Sequence, residues 1–144
     1  MARLLISVVL ILSLPVGCGD DPGAEVVAPS LPGAPREVAE RAPLPLCGQE
    51  EVMPDGSGTD EDARGCFLDA WRAGERAELF STCRTVEGDP ITQVFRSLGA
   101  DRLQLFIDSS HDRYGGRPGW QVVMCRALEP APPTASRCGP PRPL

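Results

Sequence analysis

The sequence predicts an α+β domain: one helix packed on a small antiparallel sheet of about four strands, stapled by disulfides. Three observations carry this expectation. A segment over 59–76 repeats apolar residues at spacings of three and four behind an acidic start. Segments between 77 and 128 alternate or run apolar over strand lengths and are parted by turn signals. Six cysteines stand in a chain whose first residues read as an export signal, and exported proteins meet an oxidising compartment.

The export signal comes first in the chain. "MARLLISVVLILSLPVGC" places Arg3 ahead of an apolar run from Leu4 to Leu14, then small residues before Cys18, the layout of a signal peptide over 1–17. The run is about a dozen residues, whereas a spanning helix needs about 20, so a retained transmembrane helix is the weaker reading. Its end resembles the lipobox of bacterial lipoproteins, in which a cysteine after small residues receives diacylglycerol and becomes the mature N-terminus. Val16 and Gly17 fit the two positions before Cys18, while Pro15 stands where the family usually has leucine. The resemblance implies lipidation of Cys18 and a membrane anchor made of lipid. The alternative is ordinary cleavage nearby, which releases a soluble secreted protein.

Residues 18–46 are rich in Pro, Ala and acid without an apolar period, and read as a flexible tether. Residues 129–144 are a proline-dense tail expected to lack regular structure. The domain is therefore placed over 47–128, small enough for a covalent staple to matter. With Cys18 given to lipid, Cys47, Cys66, Cys83, Cys125 and Cys138 remain, an odd number for which two bridges and one unpaired thiol is the simplest outcome. No CxxC pair is present, which puts disulfides ahead of metal ligation, although sequence alone does not select the pairing. The expected pairs join Cys83 to Cys125, both in strand candidates, and Cys47 to Cys66 or Cys138.

The helix follows from "GTDEDARGCFLDAWRAGERAEL". Thr59 is the expected cap, Asp60, Glu61 and Asp62 fill a first turn whose dipole favours acid, and Asp62 takes the capping-box position. Ala63, Cys66, Phe67, Ala70, Trp71 and Gly74 form one apolar face. Phe67 and Trp71 are expected in the core rather than lining a ligand groove, because so small a domain has few other large apolar groups to bury. "AELFSTCRTV" (77–86) is the first strand after it, stopped by the turn signal "EGDP". "ITQVFRSLG" fits either a helix, with Asp89 as cap and Pro90 in first position, or a strand. Strand is preferred because "SLGAD" makes a hairpin connection into "DRLQLFID", where Leu103, Leu105 and Ile107 share one side. "GWQVVMCRAL" is apolar on both faces, as a strand with neighbours on each side requires.

Composition narrows the partners. The chain of 144 residues sets 20 acidic groups against 14 basic ones, every one an arginine and none clustered, for a formal charge of -6. That excludes the footprint of a nucleic-acid binder. The expected partners are the membrane, through the lipid, and an envelope protein, peptide or glycan. No cofactor or metal is expected.

"DSSHDRYGG" (108–116) concentrates the only histidine, His111, and the only tyrosine, Tyr114, among serines and aspartates. A Ser-His-Asp hydrolase needs convergent side chains, yet Ser110 and His111 are adjacent and point apart in extended chain, and no G-x-S-x-G elbow or second histidine is present. A cation site built from Glu87, Asp89, Asp108 and Asp112 has the oxygen ligands calcium favours but no EF-hand spacing. The plainer reading has Asp108, Ser109, Ser110 and Asp112 bonding nearby amides where the chain leaves its strand. Together "TVEGDPI" (85–91), "DSSHDRYG" (108–115) and a later Cys125 resemble the DUF4362 family of small exported bacterial proteins. Glu87, Gly88, Asp89, Pro90, Asp108, Ser110, Asp112, Tyr114 and Gly115 occupy the matching positions, and the resemblance implies no particular activity. The expected function is a noncatalytic binding or structural module of the cell envelope. The alternative is a cation-dependent binder or hydrolase using the acidic cluster around Asp89, Asp108 and Asp112.

Overall fold

The structure, a computed structural model, describes residues 28–130 apart from Gly116, and residues 133–144, with the backbone alone considered over 127–138. The signal segment, Cys18 and the first part of the tether lie outside the described residues. In chain order the elements are α1 (Arg36–Ala39), β1 (Leu46–Val52), α2 (Glu61–Arg72), β2 (Arg76–Arg84), β3 (Pro90–Leu98), β4 (Leu103–Asp108), β5 (Trp120–Pro130), β6 (Pro133–Cys138) and β7 (Arg142–Pro143).

The α+β expectation holds, and the sheet is larger than the four strands expected. Six strands follow the order β1-β2-β3-β4-β5-β6, and β7 pairs with the first residues of β5. The segment 91–98 is a strand, bonded to β2 on one side and β4 on the other. Strand β1 runs parallel to β2, so the sheet is mixed: α2 carries the chain back between them, as a parallel pair requires. "LCGQEEV" shows little apolar alternation because it is an edge strand with an irregular register between Leu46 and Gly48. The proline-dense tail forms β6 and β7 at the margin of the sheet, where a missing N–H breaks no central ladder.

Side chains alternate between two covered faces. On one, Ala77, Leu79, Phe95, Leu103, Leu105, Val123 and Cys125 pack with Ala63 and Phe67 of α2, and Phe67 meets Phe95 edge-on at 6.2 Å. On the other, Phe80, Val94, Phe106, Trp120 and Val122 pack with Val38 of α1, flanked by Leu31, Ala34, Leu46 and Leu144. The second half of the expected tether therefore forms an arm that covers one whole face. Double cover explains why β2 is buried continuously from Ala77 to Ser81 instead of alternating.

Two carboxylates are buried with their counter-charges. Glu50 of β1 accepts from Arg64 Nε and Nη2 at 2.8 and 3.0 Å and from the Asp60 amide at 3.1 Å, tying the strand to the start of α2. Glu78 of β2 accepts from Arg41 Nε at 2.8 Å and Nη2 at 3.2 Å. Arg96 of β3 brings its Nε to 2.8 Å from the same carboxylate, off the line of a hydrogen bond, so that contact is Coulombic. Its other nitrogens reach the Ala42 carbonyl and Gln104 Oε1. Arg41 belongs to the arm, and this Arg-Glu-Arg set is the polar part of the arm's attachment.

The helix cap is Asp60 rather than Thr59: Asp60 Oδ1 accepts from the Ala63 amide, while the Thr59 hydroxyl donates to the Gly56 carbonyl and closes the preceding turn. With Asp60 as cap the third helical position is Ala63, so the capping box expected at Asp62 is not formed, and the Asp60 amide donates to Glu50 Oε2 instead. Cys47 is bridged to Cys66, linking β1 to α2 across 19 residues of sequence. A closed loop of that size contributes about 3 kcal/mol in the chain-entropy account. The expected Cys83–Cys125 bridge is not formed, and Cys83 is a free thiol. Two strands separate β2 from β5, about 14 Å at ordinary strand spacing, too far for a disulfide. Cys125 is disulfide-bonded, and the residue opposite it across the β5 to β6 ladder is Cys138.

Candidate functional site

Strands β1 and β2 end, and β3 and β5 begin, at one end of the sheet, which gathers "TVEGDPI" and "DSSHDRYGG" there. The first forms the turn between β2 and β3. The Thr85 amide donates to the Asp89 carbonyl, the Gly88 amide to the Thr85 carbonyl, and the Asp89 amide to the Thr85 hydroxyl. Gly88 takes φ +84, a conformation that favours glycine. Pro90 then opens β3 opposite Arg84.

The second segment forms the connection between β4 and β5. Asp108 Oδ1 accepts from the Ser110 amide at 2.9 Å and from its hydroxyl at 2.5 Å. Asp112 Oδ1 accepts from the amides of Tyr114 and Gly115 at 3.0 and 2.7 Å. The Ser109 hydroxyl donates to the Arg117 carbonyl. These are Asx and Ser turns that pin a loop to itself. Gly115 is confined by the same geometry, since a Cβ there would lie 2.2 Å from Asp112 Oδ2.

The two segments meet through Asp89 and Arg113. Asp89, 8% exposed, accepts from the Arg113 amide at 3.2 Å and from Nε at 3.1 Å, and lies 3.0 Å from Nη2. The Arg113 side-chain hydrogen bond, then its amide, hold the Asp89 carboxyl below the usual carboxylate range against an opposing effect of desolvation. The same contact raises the Arg113 guanidinium above its ordinary value. Tyr114, 75% exposed, lies beside that guanidinium at 5.9 Å. Glu87 is exposed at the tip of the first turn.

Each aspartate thus bonds the chain itself, Asp89 through both carboxylate oxygens and Asp108 and Asp112 through Oδ1. Ser110 donates to Asp108 and not to His111, which is exposed and makes no hydrogen bond among the described residues. No group of three His, Cys, Asp or Glu side chains is arranged to hold a metal ion among the described residues. The concave features nearby are lined by other residues. A groove of about 410 Å³ lies between the β1 to α2 loop and the β2 to β3 turn, lined by Met53, Pro54, Arg84, Thr85, Val86 and Gly88 together with Glu51. A neighbouring cleft of about 430 Å³ has Pro29, Ser30 and Leu31 on one wall and Gln49, Glu51 and Thr82 on the other.

The two segments paired in the sequence meet in space, and the residue that joins them, Arg113, is not among the expected site residues. Its position inside "DSSHDRYGG" beside an acidic turn was the available signal. Glu78 and Arg96 gave a weaker one, as charges inside otherwise apolar strands.

Fold and site together define a mixed-sheet α+β domain, covered on both faces, with two loops locked to each other at one end. Comparison with family models, curated proteins and solved structures finds no match for the chain.

Proposed function

We propose that the chain is an exported lipoprotein of the bacterial envelope, anchored through Cys18 and working as a noncatalytic binding or structural module. The observation that supports the noncatalytic reading is that Asp89 gives both carboxylate oxygens to Arg113, while Asp108 and Asp112 each pin their own loop through Oδ1, and no three acidic side chains converge among the described residues. A calcium site needs several oxygens converging on one point, and a general base needs its carboxylate aimed at a substrate-sized pocket rather than holding a turn. The export reading rests on the layout of 1–18, and the Cys47–Cys66 bridge fits an oxidising compartment. The acidic balance leaves nucleic acid aside and directs attention to an envelope protein, peptide or glycan.

Two measurements test this reading. The mass of the mature N-terminal peptide is expected to carry diacylglycerol on Cys18, and Cys18→Ser is expected to move the protein from the membrane to the soluble fraction. Unchanged partitioning of that variant rejects the anchor. Thermal unfolding with millimolar calcium is expected to match unfolding in chelator, because a ligand that binds only the folded state raises its melting temperature. A calcium-dependent rise lost in Asp112→Asn and Asp89→Asn establishes the cation-binding alternative instead.

A further inference from the structure

We propose that the end of the sheet carrying Met53, Val86 and Tyr114 faces the lipid surface and rests against it, with the opposite end turned toward the envelope. This placement rests on the lipoprotein reading for its native anchor. Its geometry comes from where the chain enters the domain. Pro29, Ser30 and Leu31 lie in the cleft with Glu51 and Thr82, near the ends of β1 and β2. From there the arm crosses the sheet to the start of β1, where the Pro45 carbonyl accepts from the Glu78 amide. The tether therefore joins the domain at the loop end.

The distance is short. Only Gly19–Val27 separate Cys18 from Ala28, a reach of about 35 Å when fully extended and less on average. The same end displays the apolar tips. The exposed large hydrophobic residues among those described are Met53, Val86, Tyr114 and Met124, and the first three sit on the loops that follow β1, β2 and β4. Val86 is 83% exposed at its turn, and it lines with Met53 and Pro54 the groove next to the arm's entry. Isolated apolar tips on the loops after β1 and β2, with a tyrosine on the loop after β4, suit the boundary between head groups and acyl chains, where one end of the tyrosine side chain is dry and the other wet. Arg84 and Arg113 stand near the tips but are paired with Glu51 and Asp89. Glu87 beside Val86 and Asp55 near Met53 are in no ion pair among the described residues, so the matching surface is zwitterionic lipid and an anionic one is repelled.

The test uses the mature chain on vesicles of phosphatidylcholine and phosphatidylethanolamine, read by amide hydrogen exchange. In one arm the chain carries its native N-terminus; in the other a hexahistidine tag replaces Cys18 and binds a nickel-chelating lipid. Exchange over 53–56, 85–88 and 112–115 is expected to slow about threefold relative to the unanchored chain, with the 99–102 turn unchanged. The combined variant Met53→Ser, Val86→Ser, Tyr114→Ser is expected to lose this protection while keeping the parent melting temperature, because all three side chains are exposed. Protection of the 99–102 turn, of both ends alike, or of neither end in the tagged chain overturns the placement. Protection in the tagged chain, with no diacylglycerol on native Cys18, overturns the lipoprotein reading and leaves the placement standing.

Discussion

Gly48 marks a close approach of β1 to α2. A Cβ at this position would stand 2.7 Å from Ala63 Cβ, and the backbone holds φ +151. Gly48→Ala is expected to destabilise the domain by about 2 kcal/mol, the ordinary penalty of forcing a methyl into a packed contact, read from urea unfolding. Asp89 gives a residue-scale prediction in pH. Its folded carboxyl is held low chiefly by the Arg113 side chain, so the stabilisation is present above the unfolded carboxylate range and disappears as pH falls through the lowered folded value. Asp89→Asn is therefore expected to melt below the parent at pH 7, with the gap closing on acidification toward pH 3. A constant gap across that range would show that the aspartate acts through something other than its charge. The motif aspartates were legible as turn residues from their spacing to serine and glycine. Their partner Arg113 is legible only as a member of the second motif, because a contact between two distant loops depends on strand register, which its position in that motif does not give.

At the scale of elements, the arm, β2 and β3 are joined by Arg41, Glu78 and Arg96. The two guanidinium groups also lie over aromatic rings, Arg41 at 5.2 Å from Phe80 and Arg96 at 6.0 Å from Phe106. Burial lowers the Arg96 guanidinium from its ordinary value, and Glu78 opposes that shift. Glu78→Gln leaves two positive groups facing each other away from water and is expected to cost about 3–5 kcal/mol in urea unfolding. Combining Glu78→Leu with Arg41→Met and Arg96→Met is expected to recover most of that loss, because it removes all three desolvation costs together. Failure of the triple variant to recover would mean that the bonds to Ala42, Val38 and Gln104 hold the arm, rather than charge balance. The helix and four central strands were legible because their periods differ, three to four residues for α2 and two for "DRLQLFID". Strand β1 is not legible because its inward Glu50 breaks alternation, and β6 and β7 are not legible because proline reads as a strand breaker everywhere except at a sheet edge, which sequence does not mark.

For the whole molecule, the decisive feature is that both faces of one sheet are covered by segments far apart in sequence. The apolar doublets "LF", "VF" and "VV" in β2, β3 and β5 were the trace of this in the sequence, since a strand wet on one face does not bury consecutive residues. What covers the second face is hidden, because Leu31 and Val38 stand singly among Pro, Ala and acid, in a composition that reads as tether. The boundary that sequence alone places at Cys47 removes α1, Val38, Leu44 and Arg41, and it uncovers Phe80, Val94, Phe106, Trp120 and Val122. Each such side chain contributes about 1.5–3 kcal/mol when buried, and a small domain has only about 5–15 kcal/mol of net stability in all. A chain of residues 47–144 is therefore expected to bind an apolar-surface dye, to show red-shifted Trp120 emission and to lose its cooperative thermal transition, while residues 28–144 melt with the mature chain. Cooperative melting of 47–144 at the temperature of the longer chain would reduce the arm to an appendage; melting only when the arm is present makes the tether's second half a part of the fold.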